Sequence, residues 1–260
     1  MKLAKFLNRL YLVLIFLILY SPVLVLVFFS FNASKSRAHW GGFSLCWYKT
    51  LFRDKTILHS ASNTLALAVI SAFLATILGV SACVGMINYG KKTAALIMNL
   101  TNIPMISPDI VSGVSLMMFF SFIRKFTGFL NPGIITLIIA HTTFCAPYSF
   151  LSVLPKLHQI TPQTFEAACD LGCPPFKAFF KVILPEIMPG IISGLFMAFA
   201  MSIDDFVISY FTSGNIQTLP ITIYSMTRKS VSPEINALSS IIFVIVLCSL
   251  VFVKQERKQR

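Results

Sequence analysis

Charge is scarce in this chain. Only 12% of its 260 residues are charged, and only nine are acidic. A soluble domain carries about 25%, so the composition argues against a water-exposed globular fold. The six cysteines are dispersed, most of them in or beside apolar runs, and no disulfide framework follows. Cys169 and Cys173 stand close together without a further Cys or His, so no metal ligand is assigned. No Ser-His-Asp set or paired His gives a catalytic residue either, and an enzyme is not expected. One look-alike of the phosphate-cradling loop, Gly85-Met-Ile-Asn-Tyr-Gly90-Lys91-Lys92-Thr93, has Lys92 where a hydroxyl must hold Mg²⁺. It also follows an apolar helix instead of a strand. This chain is therefore expected to need no cofactor.

What is abundant is hydrocarbon: 56% of residues are hydrophobic and 25 are phenylalanine. Runs with little or no charge recur at the length a membrane helix needs, about 20 residues. They predict six spans, at about 10–31, 61–88, 94–123, 132–154, 188–212 and 235–253. The expected fold is all-α, a polytopic membrane protein with a single transmembrane domain over 1–260. The first run is too long and uniform for a cleaved leader and reads as a retained helix. Six spans put both termini on one side of the bilayer. If that side is inside, a small majority of Lys and Arg lies there. The net charge of +12 is scattered in short clusters beside span ends. Anionic lipid headgroups are the partners it implies, not nucleic acid.

Between the fourth and fifth runs lies a polar island, Pro155 to Glu186. Thr161 and Pro162 read as N-cap and first helical residue, since proline's missing N–H is not needed there. Gly172 is suited to the left-handed conformation that closes a helix. Pro174 and Pro175 then start a second short helix, which the sequence predicts to end near Pro185. The result is an elbow at about 160–185, with small Ala167 and Ala168 open to close approach by a partner.

Three carboxylates fall inside the apolar runs: Asp109, Asp204 and Asp205. Each costs about 2.5–3.5 kcal/mol at mid-bilayer, so each is expected to face a partner or a water-filled path. Asp109 follows Pro104 and Pro108, which interrupt the backbone ladder, and broken helices are tolerated where they line a cavity. In the fifth run Gly190, Gly194, Ala198 and Ser202 form a small-residue stripe that favours close helix packing. Asp205 falls in the sector of that stripe, whereas Asp204 lies about 100° from Asp205, just outside the stripe's other edge. Tyr148, Phe206 and Tyr210 are candidate aromatic neighbours for a cation. His141 reads as a hydrogen-bonded interior histidine.

The elbow carries Glu166-Ala167-Ala168, then, after three intervening residues, Gly172, then Val182 and Leu184-Pro185. This spacing resembles the EAA loop of the integral-membrane subunits of bacterial ABC importers, with Val182 where isoleucine is usual. Further segments resemble one subgroup, the PotC-type permeases of spermidine/putrescine importers. They include Phe29-Ser-Phe-Asn32, Ser107-Pro-Asp-Ile-Val111, His141-Thr-Thr-Phe-Cys-Ala-Pro147 and Ser202-Ile-Asp-Asp-Phe-Val-Ile-Ser209, and, further on, Leu219-Pro-Ile-Thr-Ile-Tyr-Ser-Met226 and Val231-Ser-Pro-Glu-Ile-Asn-Ala237. The resemblance implies a type I ABC importer permease in the bacterial inner membrane, with both termini cytoplasmic. Its expected partners are a second permease subunit, a cytoplasmic ATPase dimer holding ATP and Mg²⁺, and a periplasmic substrate-binding protein. Glu166, Ala167, Ala168, Gly172, Leu184 and Pro185 are then the residues expected to couple to the ATPase. Translocation of a small cationic polyamine is the expected function. A permease for another solute, or an ion-coupled secondary transporter, are the alternatives.

Overall fold

The computed structural model describes residues 2–35, 39–87, 89–128, 130–160, 162–229 and 233–244. Among them no strand forms, and Asn32 with Phe43 makes an isolated antiparallel bridge. The helices are α1 (Lys2–Phe29), α2 (Cys46–Leu51), α3 (Lys55–Ile87), α4 (Lys91–Ile106), α5 (Asp109–Thr127) and α6 (Ile134–Gln159). After them come α7 (Pro162–Asp170), α8 (Pro175–Ala178), α9 (Leu184–Asp204), α10 (Val207–Thr212), α11 (Leu219–Lys229) and α12 (Glu234–Val244). Five stretches are long and apolar enough to cross a membrane: most of α1, most of α3, α5, α6, and the continuous Pro175–Asp204. The run expected at 235–253 begins as α12 and then passes outside the described residues.

The third and fifth runs are each split in two. Ser107 precedes a proline and is pushed out of the helical region, so α4 stops and α5 starts at Asp109. Ser107 and Pro108 are extended, with ψ 135° and 137°, whereas Pro104 stays within α4. The fifth run breaks at Asp205, with φ −68° and ψ 116°, where no proline forces it.

At the elbow, α7 closes on Gly172 at φ +82°. The Gly172 N–H bonds the Cys169 carbonyl at 2.9 Å and the Cys173 N–H reaches back to the Ala168 carbonyl at 3.1 Å. That pair of bonds is the Schellman arrangement, which satisfies two carbonyls the helix end would otherwise leave open. The helix that starts at Pro175 does not stop near Pro185, in contrast to the sequence expectation. It widens over Phe179–Ile183 into a π turn, where the Leu184 N–H bonds the Phe179 carbonyl, and continues as α9 through Pro185 and Pro189. Proline strips one carbonyl of its partner and crowds the preceding turn. A single wider turn relieves the crowding without ending the rod.

The chain divides into two compact units, residues 1–59 with 222–260, and residues 60–221. In the first, the Asn32 side chain accepts from the N–H groups of Ser34 and Gly41 and donates to the His39 carbonyl. Trp47 Nε1 donates to the Asn32 carbonyl at 2.7 Å, which ties α2 to the end of α1. In the second unit α6 is the central helix. The small-residue stripe of α9 is buried against it: Gly190, Gly194, Ala198 and Ser202 are all interior. A Cβ on Gly194 would stand 3.1 Å from Ser149 Cα, and one on Gly190 would stand 3.1 Å from the Ser152 carbonyl. From α3, a Cβ on Gly79 would meet the Phe150 backbone nitrogen at 2.7 Å. Ser149 links the three helices, donating to the Gly194 carbonyl at 3.2 Å with Thr76 Oγ1 3.4 Å away. Between apolar helices in lipid, such close backbone contact and a few hydrogen bonds replace the hydrophobic effect.

Candidate translocation site and coupling elbow

The two helix breaks lie beside one helix crossing. α10 packs on α5 where a Cβ on Gly113 would meet Phe211 at 2.9 Å and the Val207 carbonyl at 3.5 Å. Asp109 precedes Gly113 by about one turn, and Asp204 precedes Val207 by less. Both acids therefore stand near the same crossing along their chains, at the ends of half-helices.

The surroundings of the three acids differ. Asp205 is consumed by structure. Its Oδ2 accepts the Ser209 N–H at 2.8 Å and its Oδ1 accepts the Ile208 N–H at 3.2 Å, capping the start of α10. That cap is why the fifth run breaks here without a proline. A carboxylate at this position is worth about 1 kcal/mol in a solvent-exposed helix. Its side chain is 5% exposed and lies 3.4 Å from His141 Nε2, itself 1% exposed. The same Nε2 is 2.9 Å from Ser209 Oγ, while Nδ1 is 2.8 Å from Ser202 Oγ. Because Nε2 faces the carboxylate it carries the ring proton, leaving Nδ1 to accept from the Ser202 hydroxyl. His141 is thus an interior hydrogen-bonded histidine, and Asp205 is its partner.

Asp109 is exposed in the first turn of α5. The helix N-terminus partly offsets its charge, by about 0.3–1 kcal/mol. Tyr148 is half-buried on α6 and packs edge-on to Phe144, with ring centroids 5.7 Å apart. Asp204 is different again. It is the exposed last residue of α9, where unpaired carbonyls and the negative end of the helix dipole add to its own charge. Phe206 is half-buried two residues on, and its ring lies 5.5 Å from that of the exposed Tyr210. The break thus holds a carboxylate, a helix C-terminus and two aromatic faces, which is an arrangement suited to an ammonium group. Among the described residues no group of His, Cys, Asp and Glu could hold a metal ion.

At the elbow Glu166, Ala167, Gly172 and Pro185 are exposed, and Ala168 and Leu184 are half-buried. The tip is apolar as well as small: Leu171 is 89% and Phe176 is 76% exposed, with Phe176 against Phe180 at 4.9 Å. Thr161, the expected N-cap, lies outside the described residues. The Gly85–Thr93 look-alike spans the end of α3 and the start of α4, a link between helices. The sequence put Asp205 in the sector of the stripe that ends at Ser202 but left His141 and Ser209 apart from it. The 202-205-209 spacing was the available signal, because on a continuous helix it puts all three on one face.

A profile of the family described as "Binding-protein-dependent transport system inner membrane component" matches residues 75–256. The chain is 39% identical to the putrescine transport system permease protein PotI of Escherichia coli K12, over 87% of this chain and 82% of that protein. It is 35% identical to the spermidine/putrescine transport system permease protein PotC of Haemophilus influenzae, over 95% of this chain and 94% of that protein. Its fold is similar to that of a chain in the crystal structure of a bacterial alginate ABC transporter bound to its pentasaccharide-loaded periplasmic protein. The TM-score is 0.74 at 16% identity, covering 99% of this chain and 96% of that one. The chain therefore belongs to the inner membrane components of binding-protein-dependent transport systems, as a permease subunit of an ABC importer whose ATPase is a separate subunit.

Proposed function

We propose that this permease carries polyamines, with Asp204 as the acid that meets the cargo. The observation that carries the reading is the difference among the three acids of the apolar runs. Asp205 is spent on a cap and on His141, and Asp109 is partly offset by its helix. Asp204 alone combines an exposed carboxylate with a helix C-terminus. A polyamine brings two or more hydrated ammonium groups, and each one that loses water needs compensating negative charge. The Phe206 and Tyr210 rings add cation–π attraction of about 0.5–2 kcal/mol. The relatives named above for putrescine and spermidine support the same cargo class. Contact on the path is weak and transient, because a tight site would trap the cargo. High affinity belongs to a periplasmic binding protein. A second permease completes the path, and an ATPase dimer grips the elbow through Glu166, Ala167, Ala168, Gly172, Leu184 and Pro185.

The direct test is uptake of radiolabelled putrescine and spermidine by the complex reconstituted in proteoliposomes. ATP-dependent uptake of at least one, competed by the other and not by neutral or acidic amino acids, is the expected result. Uptake of neither would overturn the cargo assignment.

In this reading both termini and the elbow are cytoplasmic. In a cysteine-free background, a membrane-impermeant thiol reagent is expected to label Lys35→Cys from outside and Lys177→Cys only after the membrane is opened. Both positions are exposed. The reverse pattern would place the elbow on the side away from any ATPase.

A further inference from the structure

The elbow and the α9–α10 break belong to one mechanical element. α6 runs into the elbow, the elbow runs into α9, and α6 and α9 pack side by side. The three form a hairpin with the elbow at its tip. α10 lies across the open end of the hairpin and is tied to α6 at both of its own ends. At the far end the Thr136 hydroxyl shares its one proton between the Thr212 carbonyl at 2.9 Å and the Gly133 carbonyl at 2.8 Å. At the break end stand Ser202, His141, Ser209 and Asp205, buried together and mutually bonded. Beyond α10 the next contact is α5, through Gly113.

The covalent link between α9 and α10 is Asp205-Phe206, and Asp205 is extended. A short non-helical joint of this kind absorbs rotation instead of passing it on. The polar cluster bridges that joint with side chains from both sides. Ser202 contributes from the last turn of α9, Ser209 from α10, and His141 of α6 holds one with each ring nitrogen.

We infer that His141 is a positioning residue for transport: it latches the broken end of α10 to the α6–α9 hairpin, so that displacement of the elbow reaches α10 and, through Gly113, α5. The Thr136–Thr212 bond is the pivot. With the latch cut, α10 stays attached at the pivot and against Gly113 of α5, but its break end is no longer held to α6 and α9, and Asp204 and Phe206 lose their fixed direction relative to the hairpin. The inference rests on the permease architecture and holds for any cargo.

The test uses the full complex, with its ATPase and binding protein, in proteoliposomes. His141→Phe keeps the volume and removes both ring hydrogen bonds. His141→Gln keeps one donor and one acceptor. A latch predicts that the His141→Phe complex assembles in normal amount and hydrolyses ATP when stimulated by the binding protein. Its ATP hydrolysed per molecule imported then rises about tenfold, within the usual range of coupling between sites. His141→Gln restores at least half of the coupling, a rescue that lost packing alone would not show. If His141→Phe fails to assemble, Ser202→Ala combined with Ser209→Ala cuts the same bonds with smaller changes, and the same rise is expected. An unchanged ratio in an assembled variant would overturn the inference. Amide exchange over 205–212 is expected to quicken about tenfold in the cut variant, and equal exchange would also overturn it. Exchange needs no cargo, so it still decides the latch if wild-type complex imports neither amine, a result that counts only against the polyamine reading.

Discussion

Asp204→Asn is expected to slow polyamine uptake about thirtyfold while complex assembly and the fold stay intact. A hydrogen bond to a charged group is worth about 2 kcal/mol, and each 1.4 kcal/mol in a barrier is about tenfold in rate. Asparagine keeps the shape and one acceptor but removes the charge. The exposed end of α9 then offers an ammonium group only carbonyl dipoles. The neighbouring acids respond differently, which makes the comparison diagnostic. Asp109→Asn loses a charge already offset by the start of α5, so its effect on uptake is smaller, about threefold. Asp205→Asn keeps one capping oxygen but gives up the paired acceptance of the Ile208 and Ser209 N–H groups and the contact with His141. Its loss appears first as a lower yield of assembled complex. Initial uptake rates at several putrescine concentrations, normalised to assembled complex, check all three. Equal, wild-type rates for Asp204→Asn would remove the acid from the path.

The division of labour among these acids was only half legible in the sequence. Their cost inside apolar runs marked all three, and the stripe from Gly190 to Ser202 placed Asp205 on the packed side and Asp204 off it. The structure keeps that division, because a stripe with a repeat of four residues stays on one face for several turns and finds α6 there. What local sequence could not supply was the partner across the interface. His141 stands 61 residues before Ser202 and 68 before Ser209, and no local pattern links positions that far apart. The breaks show the same contrast. Proline announced the first at Ser107-Pro108 through a steric rule that acts between neighbours. The second depends on a carboxylate folding back onto N–H groups three and four residues ahead, which a string of apolar letters conceals. Proline also misled. Pro185 suggests a stop, yet one wide turn over Phe179–Ile183 carries the helix past it, because the rest of the rod packs well on α6. The Gly172 turn, by contrast, was readable in full, since it depends only on residues within a few positions.

Gly172→Val is expected to uncouple the elbow. Gly172 sits at φ +82° with nothing within 4 Å of a Cβ placed there, so space is no obstacle and backbone conformation is the whole issue. A left-handed backbone costs an ordinary L-residue about 1–2 kcal/mol, and a β-branched side chain is disfavoured further. Valine escapes by leaving that region, which breaks the Gly172 N–H to Cys169 and Cys173 N–H to Ala168 bonds that close α7. The direction of α8 relative to α7 then changes, and the apolar tip at Leu171 and Phe176 no longer presents one surface. Membrane insertion is set by the apolar runs and should be unaffected. Uptake should fall about tenfold or more, and the ATPase should co-purify in reduced amount. Asparagine tolerates the left-handed region, so Gly172→Asn should stay within about twofold of wild type. Gly172→Ala should fall between them. That rank order, valine worst and asparagine best, follows the strain at one backbone angle, whereas a surface that simply resents bulk would rank alanine above asparagine. Wild-type uptake and normal ATPase recovery with valine at position 172 would show that the turn has no part in coupling.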